Sequence, residues 1–248
     1  RIKTQSLAFF IYNLECRDGL MAATPRAPYR TESWLPDLQV LSLRSQAGTA
    51  KGLFFAAQGG HNAESHNHND VGNFVLYMDG KPAIIDVGVG TYTKQTFSPD
   101  RYKLWFMQSQ WHNCPTINGV QQKDGRRFKA NDVHYSKNKL SMDIAAAYPE
   151  EAQVQAWKRT FTFNPAKTSS QLSEAYELKE WKTPFLLHFM TVLPADTRTP
   201  GKVILKGETA NLVMTCWGVI PAGGAGSMGP KPEGSCAWAA YGIATAAR

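Results

Sequence analysis

Asn73-Phe74-Val75-Leu76-Tyr77-Met78-Asp79-Gly80-Lys81-Pro82-Ala83-Ile84-Ile85-Asp86 is the stretch on which the fold turns. Two β-rich runs, Asn73 to Met78 and Pro82 to Asp86, flank Asp79-Gly80. An Asp-Gly link is a strong hairpin signal, because a type I′ turn needs positive φ at both central positions. On either side the same texture continues. Leu38 to Arg44 and Gly52 to Gln58 precede it, and Pro115 to Ile117 (turning at Asn118-Gly119), Leu140 to Tyr148, Val154 to Phe163, Ser169 to Leu178, Phe185 to Leu193 and Lys202 to Lys206 follow. Within Val154 to Phe163, Trp157, Arg159, Phe161 and Phe163 alternate with smaller or polar residues, so one face of that strand is largely aromatic. Many short strands and little helix predict an all-β fold, an antiparallel β-sandwich.

The ends read differently. Residues 1 to 20 carry Leu7, Phe9, Phe10, Ile11 and Leu14 in a pattern that fits one helical segment ending near Gly19, and Pro25, Pro28 and Pro36 mark a linker after it. The chain starts at Arg1 without a leader-like segment and reads as a mature product or a fragment. Its division is expected at 1–30 (helix and linker), 31–215 (sandwich) and 216–248 (an irregular Gly/Ala-rich tail, loosely packed or non-native). No internal repeat is evident.

Composition narrows the function. Lys and Arg number 27 against 20 Asp and Glu, a formal charge of +7, with a pI near 9.2. Such a surface attracts polyanions, nucleic acid and acidic polysaccharide alike, or serves only solubility, and the lack of any run of five like charges weakens a dedicated nucleic-acid patch. The longest uncharged stretch, Thr209 to Pro230, is interrupted by Asn, Gly and Pro and is not a membrane span. Cys16, Cys114, Cys216 and Cys236 form no CxxC pair, so neither a disulfide miniprotein nor a cysteine zinc site is indicated.

Chemistry concentrates between two of the strands, in Gly59-Gly60-His61-Asn62-Ala63-Glu64-Ser65-His66-Asn67-His68-Asn69-Asp70. Three of the six histidines lie within eight residues there. A His-x-His pair in extended backbone would point both imidazoles to one side, a geometry suited to a metal or an anionic ligand. Asp86, at the end of an apolar run, and His112, beside Trp111, could complete a tetrahedral site with His68 and leave the fourth position open. Taken alone, such an Asp is more often a turn former or helix cap than a ligand, and such a His more often a packed, hydrogen-bonded histidine. His134 and His188 stand apart and read as structural, His188 within the core. Gly88 and Gly90 allow close backbone approach, but neither they nor Gly59-Gly60 form a nucleotide loop.

Ser65-His66-Asn67-His68-Asn69-Asp70-Val71-Gly72-Asn73-Phe74, then Ile85-Asp86-Val87-Gly88, then His112-Asn113 occur in an order that resembles the β-sandwich part of the heparinase II/III-like polysaccharide lyases, over about Trp34 to Lys206. The resemblance implies β-elimination on a uronate glycan, with an N-terminal α/α toroid of which residues 1–30 are a short remnant. It implies that His66 is the active-site histidine, that His68, Asp86 and His112 bind a structural zinc, and that Tyr102 and Asn67 contact substrate. A periplasmic or extracellular location also follows only by that resemblance, and the oligomeric state, a homodimer included, stays open. Two other readings stand beside it: a zinc-dependent hydrolase in which the three ligands hold a catalytic water, and a non-catalytic sandwich that binds anionic glycan through cations and aromatics.

Overall fold

The computed structural model describes residues 6–25, 28–208 and 211–215. Two helices, α1 (Leu7–Glu15) and α2 (Arg17–Ala22), come first, and none of their residues is buried. The strands follow as β1 (Glu32–Leu35), β2 (Val40–Arg44), β3 (Leu53–Gln58), β4 (His61–Asn62), β5 (Phe74–Met78), β6 (Lys81–Ile84), β7 (Pro115–Thr116), β8 (Gly125–Lys129), β9 (Asn131–Ser136), β10 (Lys139–Asp143), β11 (Val154–Asn164), β12 (Ser169–Leu178), β13 (Leu186–Leu187), β14 (Ala195–Asp196), β15 (Lys202–Lys206) and β16 (Asn211–Thr215).

Two antiparallel sheets make the sandwich, in the orders β1-β2-β3-β5-β6 and β12-β11-β10-β9. Their inner faces are written in the alternation. Leu41 and Leu43 on β2, Leu53 and Phe55 on β3, and Trp157, Phe161 and Phe163 on β11 are buried, while their neighbours are not. Phe161 meets Phe55 at 5.1 Å and Phe74 at 5.2 Å between ring centroids, so an aromatic cluster joins the sheets. The hairpin at Asp79-Gly80 is present. Met78 pairs with Lys81, and φ is +49° at Asp79 and +77° at Gly80. Asn118-Gly119 turns the same way, at +51° and +77°, with Ile117 bridged to Val120.

Several expected boundaries are corrected. The helical stretch does not end at Gly19, which lies inside α2, and the break between the helices falls at Cys16. β1 occupies part of the expected linker and stops where Pro36 follows it. The run Leu140 to Tyr148 leaves the ladder at Asp143, because the Asp143 carboxylate accepts the N–H groups of Ala145 (2.8 Å) and Trp157 (3.2 Å), and a 3-10 turn over Ala145–Ala147 replaces strand. Phe185 to Leu193 is strand only at β13; beyond it the Met190 N–H donates to the Asn113 side chain and the Thr191 hydroxyl to the Ala83 carbonyl. His188 is buried and its Nε2 lies 2.8 Å from Thr116 Oγ1, as befits a core histidine. The expected tail at 216–248 lies outside the described residues.

Candidate functional site

The connection from β4 to β5 lies beside the five-stranded sheet and forms one wall of a cavity of about 620 Å³. His61, Ser65, His66, Asn67, His68 and Asp70 line it from this connection, Ala56, Gln58 and Val75 from the sheet, and Asp86, Gly88, Val89 and Tyr92 from the segment after β6. The expected extended His-x-His is corrected here. His66 has φ +61°, in a turn where the Asn67 N–H reaches the Glu64 carbonyl at 3.3 Å. That left-handed residue sends the two imidazoles apart along the cleft. His66 stacks on Tyr92, 6.4 Å between centroids and 24° between planes, whereas His68 meets His112 at 5.2 Å.

His68, Asp86 and His112 each bring a ligand-type atom within 4.8 Å of the others. Asp86 is held from three directions: His112 Nδ1 at 2.7 Å, Asn73 Nδ2 at 2.5 Å and the Gly88 N–H at 2.7 Å. His112 is fully buried, and its Nε2 lies 3.1 Å from the Phe106 carbonyl. Donation of Nε2–H to that carbonyl turns Nδ1 toward Asp86 and His68, which is the tautomer a metal-ligating histidine needs. The donor set therefore fits a zinc ion with a fourth position free.

Electrostatics agree. Burial, seconded by the charge of His112, lowers the His68 pKa to about 4, so its imidazole is neutral and ligand-competent at neutral pH. Burial pushes the Asp86 carboxyl up, but the His112 hydrogen bond and charge, with the Gly88 N–H, outweigh it and hold the group below its ordinary value. His112 is the mirror case: burial lowers it, and the Asp86 hydrogen bond and the charges of Asp70 and Asp86 raise it above its ordinary value. A metal at this site would compete with a proton for His112 Nδ1. Zinc affinity is expected to fall as pH drops through the raised His112 value, with proton uptake on release. Titration of the zinc-loaded chain with a competing chelator from pH 8 to 5 measures this, and a pH-independent affinity would contradict it.

Under the ligands lies a scaffold that the sequence reading did not pick out. Asn113 donates its N–H to Asn73 Oδ1 (3.0 Å) and its Nδ2 hydrogens toward the carbonyls of Phe74 (2.7 Å) and Ile85 (2.8 Å). Thus one amide ties β5, the end of the β6 segment and Asn73, which itself holds Asp86. Arg159, fully buried on β11, donates Nη1 to the carbonyls of Gly72 (2.7 Å) and Asn113 (2.6 Å), and Nε and Nη2 to Glu174 Oε1 (2.8 and 2.6 Å). Glu174 Oε2 also accepts from Trp157 Nε1 at 3.0 Å. A signal was there to find: an Arg in the inward alternation of an aromatic strand must have a buried partner.

Asn67 lines the cavity, and its Oδ1 accepts from the Tyr102 hydroxyl at 2.9 Å while its carbonyl accepts from Arg101 Nη2 at 2.6 Å. Tyr102 stands behind Asn67 and is not among the cavity-lining residues, whereas Tyr92 is. His134, on β9 opposite Ser141, lies outside the cleft lining. Asp70 lines the cleft and bonds Gln58 Nε2 at 2.7 Å; burial above all, with the Asp86 charge, raises its pKa to about 7.

Fold and site together define an antiparallel β-sandwich domain with a cleft-side His-Asp-His ligand cluster. The sequence model of the C-terminal part of the heparinase II/III-like proteins matches residues 40–181, and the chain belongs to that family. Among solved structures, a heparinase III with methylated lysines superposes with a TM-score of 0.61 at 14% identity, covering 86% of this chain and 34% of that one. The heparan sulfate lyase HepC of Pedobacter heparinus gives 0.57 at 16% identity, covering 84% and 32%. At such identity the likeness is one of fold. The chain spans about a third of the length of these structures. No curated protein matches it significantly.

Proposed function

We propose that the chain is the sandwich portion of a polysaccharide lyase that cleaves uronate-containing acidic glycan by β-elimination, outside the cytoplasm, with zinc held by His68, Asp86 and His112. The observation that carries this reading is the placement of His66 on the open side of the same cleft whose inner side holds the ligand cluster, in a chain of this family. β-Elimination removes the proton α to the uronate carboxylate and forms a carbon–carbon double bond. The bond to the leaving glycosidic oxygen breaks, and that oxygen takes up a proton. His66, exposed and beyond the ligand cluster, is suited to protonating the leaving oxygen or to donating a hydrogen bond to the charge that develops on the carboxylate. Asn67, braced by Tyr102 and Arg101, contributes an amide beside it. Bound zinc would supply rigidity to the segment that presents His66 rather than an activated water.

The test is ultraviolet absorbance of unsaturated uronate product. In the resemblance the base belongs to the helical toroid, so the 248-residue chain by itself is expected to be inactive or very weak. In the protein that includes the toroid, His66→Ala should lower kcat at least about 100-fold without loss of zinc. New reducing ends without a double bond, abolished by chelation, would favour the zinc hydrolase; glycan binding with no cleavage in the whole protein would favour the binding module.

A further inference from the structure

We infer that Gln122 and Asn62 are positioning residues whose buried amides clasp the base of the histidine connection and set where His66 and His68 stand, a role that rests on the site reading above. The connection leaves β4 at Asn62 and rejoins the sheet at Gly72, whose N–H donates to the Gln58 carbonyl at 3.0 Å. Ala63 to Val71 lie between, in neither helix nor strand. A segment without ladder bonds must find its backbone partners elsewhere, and here they are side chains.

Gln122 Oε1 accepts from Asn62 Nδ2 (3.1 Å) at the outgoing end of the connection and from the Val71 N–H (2.9 Å) at the returning end. Gln122 Nε2 donates back to the Val71 carbonyl at 2.8 Å. Asn62 closes the ring, its Oδ1 accepting the Asp70 N–H at 3.2 Å and its Nδ2 also reaching the Lys123 carbonyl at 3.0 Å. Asn62 is 0% exposed and Gln122 5%, so water does not replace a partner that is removed.

The clasp also refers the connection to the other imidazole-bearing segment. The Gln122 N–H donates to Ser109 Oγ at 3.0 Å, and the Ser109 carbonyl accepts the His112 N–H at 3.2 Å. One residue thus holds the base of the loop that carries His68 and touches the turn that delivers His112. The tip of that loop is tied separately, through Arg101 and Tyr102 to Asn67. Neither Asn62 nor Gln122 lines the cavity or belongs to the ligand cluster, so both act through the backbone they hold. A binding constellation needs its groups within about 0.5 Å of the productive geometry, which a loop loose at its base does not keep.

Gln122→Met in the 248-residue chain keeps much of the side-chain volume and removes the amide at the centre of the clasp. Leu205→Ala, a truncation on the buried face of β15, controls for lost stability alone. Amide hydrogen exchange of the metal-free chain should quicken at least about tenfold over residues 63–71 in Gln122→Met and keep wild-type rates over β11 and β12, a local pattern that Leu205→Ala does not reproduce. Zinc affinity should fall about tenfold, and the visible spectrum of cobalt(II) bound in place of zinc should change in Gln122→Met but not in Leu205→Ala. Asn62→Leu cuts only its own half of the clasp and should move each readout the same way by less; if Gln122→Met does not fold, it decides the matter. Unchanged exchange over 63–71 would overturn the clasp. Faster exchange there with zinc affinity and cobalt spectrum unchanged would overturn the positioning role. A wild-type chain that takes up neither metal would overturn the zinc reading instead, and exchange over 63–71 then decides the clasp by itself.

Discussion

Glu174→Ala should destabilise the protein by about 3–5 kcal/mol, because it leaves the Arg159 guanidinium charged, buried and facing no carboxylate. Glu174 and Arg159 are each about 1% exposed at the side chain. The same substitution orphans Trp157 Nε1, an additional cost of about 1–3 kcal/mol for a buried donor. Denaturant unfolding reads the loss directly, and a change below about 1 kcal/mol would show that the pair is not held as described. The double variant Arg159→Met, Glu174→Leu is expected to recover the part of the loss due to the unpaired charge, since apolar residues of similar volume often replace a buried ion pair at little cost, but not the part due to Trp157 Nε1, which stays without its acceptor. It should not recover metal affinity, because the carbonyls of Gly72 and Asn113 lose the donor that anchors both ligand-bearing segments. That split between stability and metal binding separates a merely structural pair from one that also sets the site.

Zinc content carries the second large effect. The wild-type chain should hold about one zinc under metal-replete conditions, and His68→Ala and Asp86→Ala should each lose it. His66→Ala should keep it, since His66 faces Tyr92 and takes no part in the ligand cluster. Zinc at about 100 times its Kd should stabilise the wild type by about 2.7 kcal/mol, seen as a rise in thermal midpoint absent from the two ligand variants. Retention of zinc by both variants, or none in the wild type, would remove the cluster from consideration as a metal centre. Elemental analysis alongside thermal unfolding covers both readouts.

Much of this architecture is legible in sequence where local chemistry decides it. Asp79-Gly80 and Asn118-Gly119 name their turns because few residues tolerate positive φ, and β11 names its buried face through Trp157, Phe161 and Phe163. β8 and β9 escaped notice because Arg126, Arg127, Lys129 and Asp132 hide the alternation: these strands bury little, and Phe128 is the buried side chain within β8. Phe185 to Leu193 misled in the opposite sense. Its apolar residues look like a strand, yet the Met190 N–H donates to the Asn113 side chain and the Thr191 hydroxyl to the Ala83 carbonyl, partners far away in sequence. At the site, the residue types and their order pointed to His68, Asp86 and His112, which the fold brings together. The turn at His66 and the bracing by Asn113 were not legible, because each depends on contacts that no local pattern announces.

Those distant partners also set an order of events in folding. Arg159 is 87 residues from Gly72, Met190 is 77 from Asn113, and Thr191 is 108 from Ala83. Loop closure over such spans is slow, so the local hairpin at Asp79-Gly80 can form at once, while the ties from Met190 and Thr191 wait for segments that synthesis delivers late. As the chain leaves the ribosome, the sheet bearing β2, β3 and β5 can pair early, but the pocket between its histidines stays unbraced until Thr191 has emerged. During that interval the apolar faces of the first sheet stand open, so the candidate site is the last part of the nascent domain to be braced.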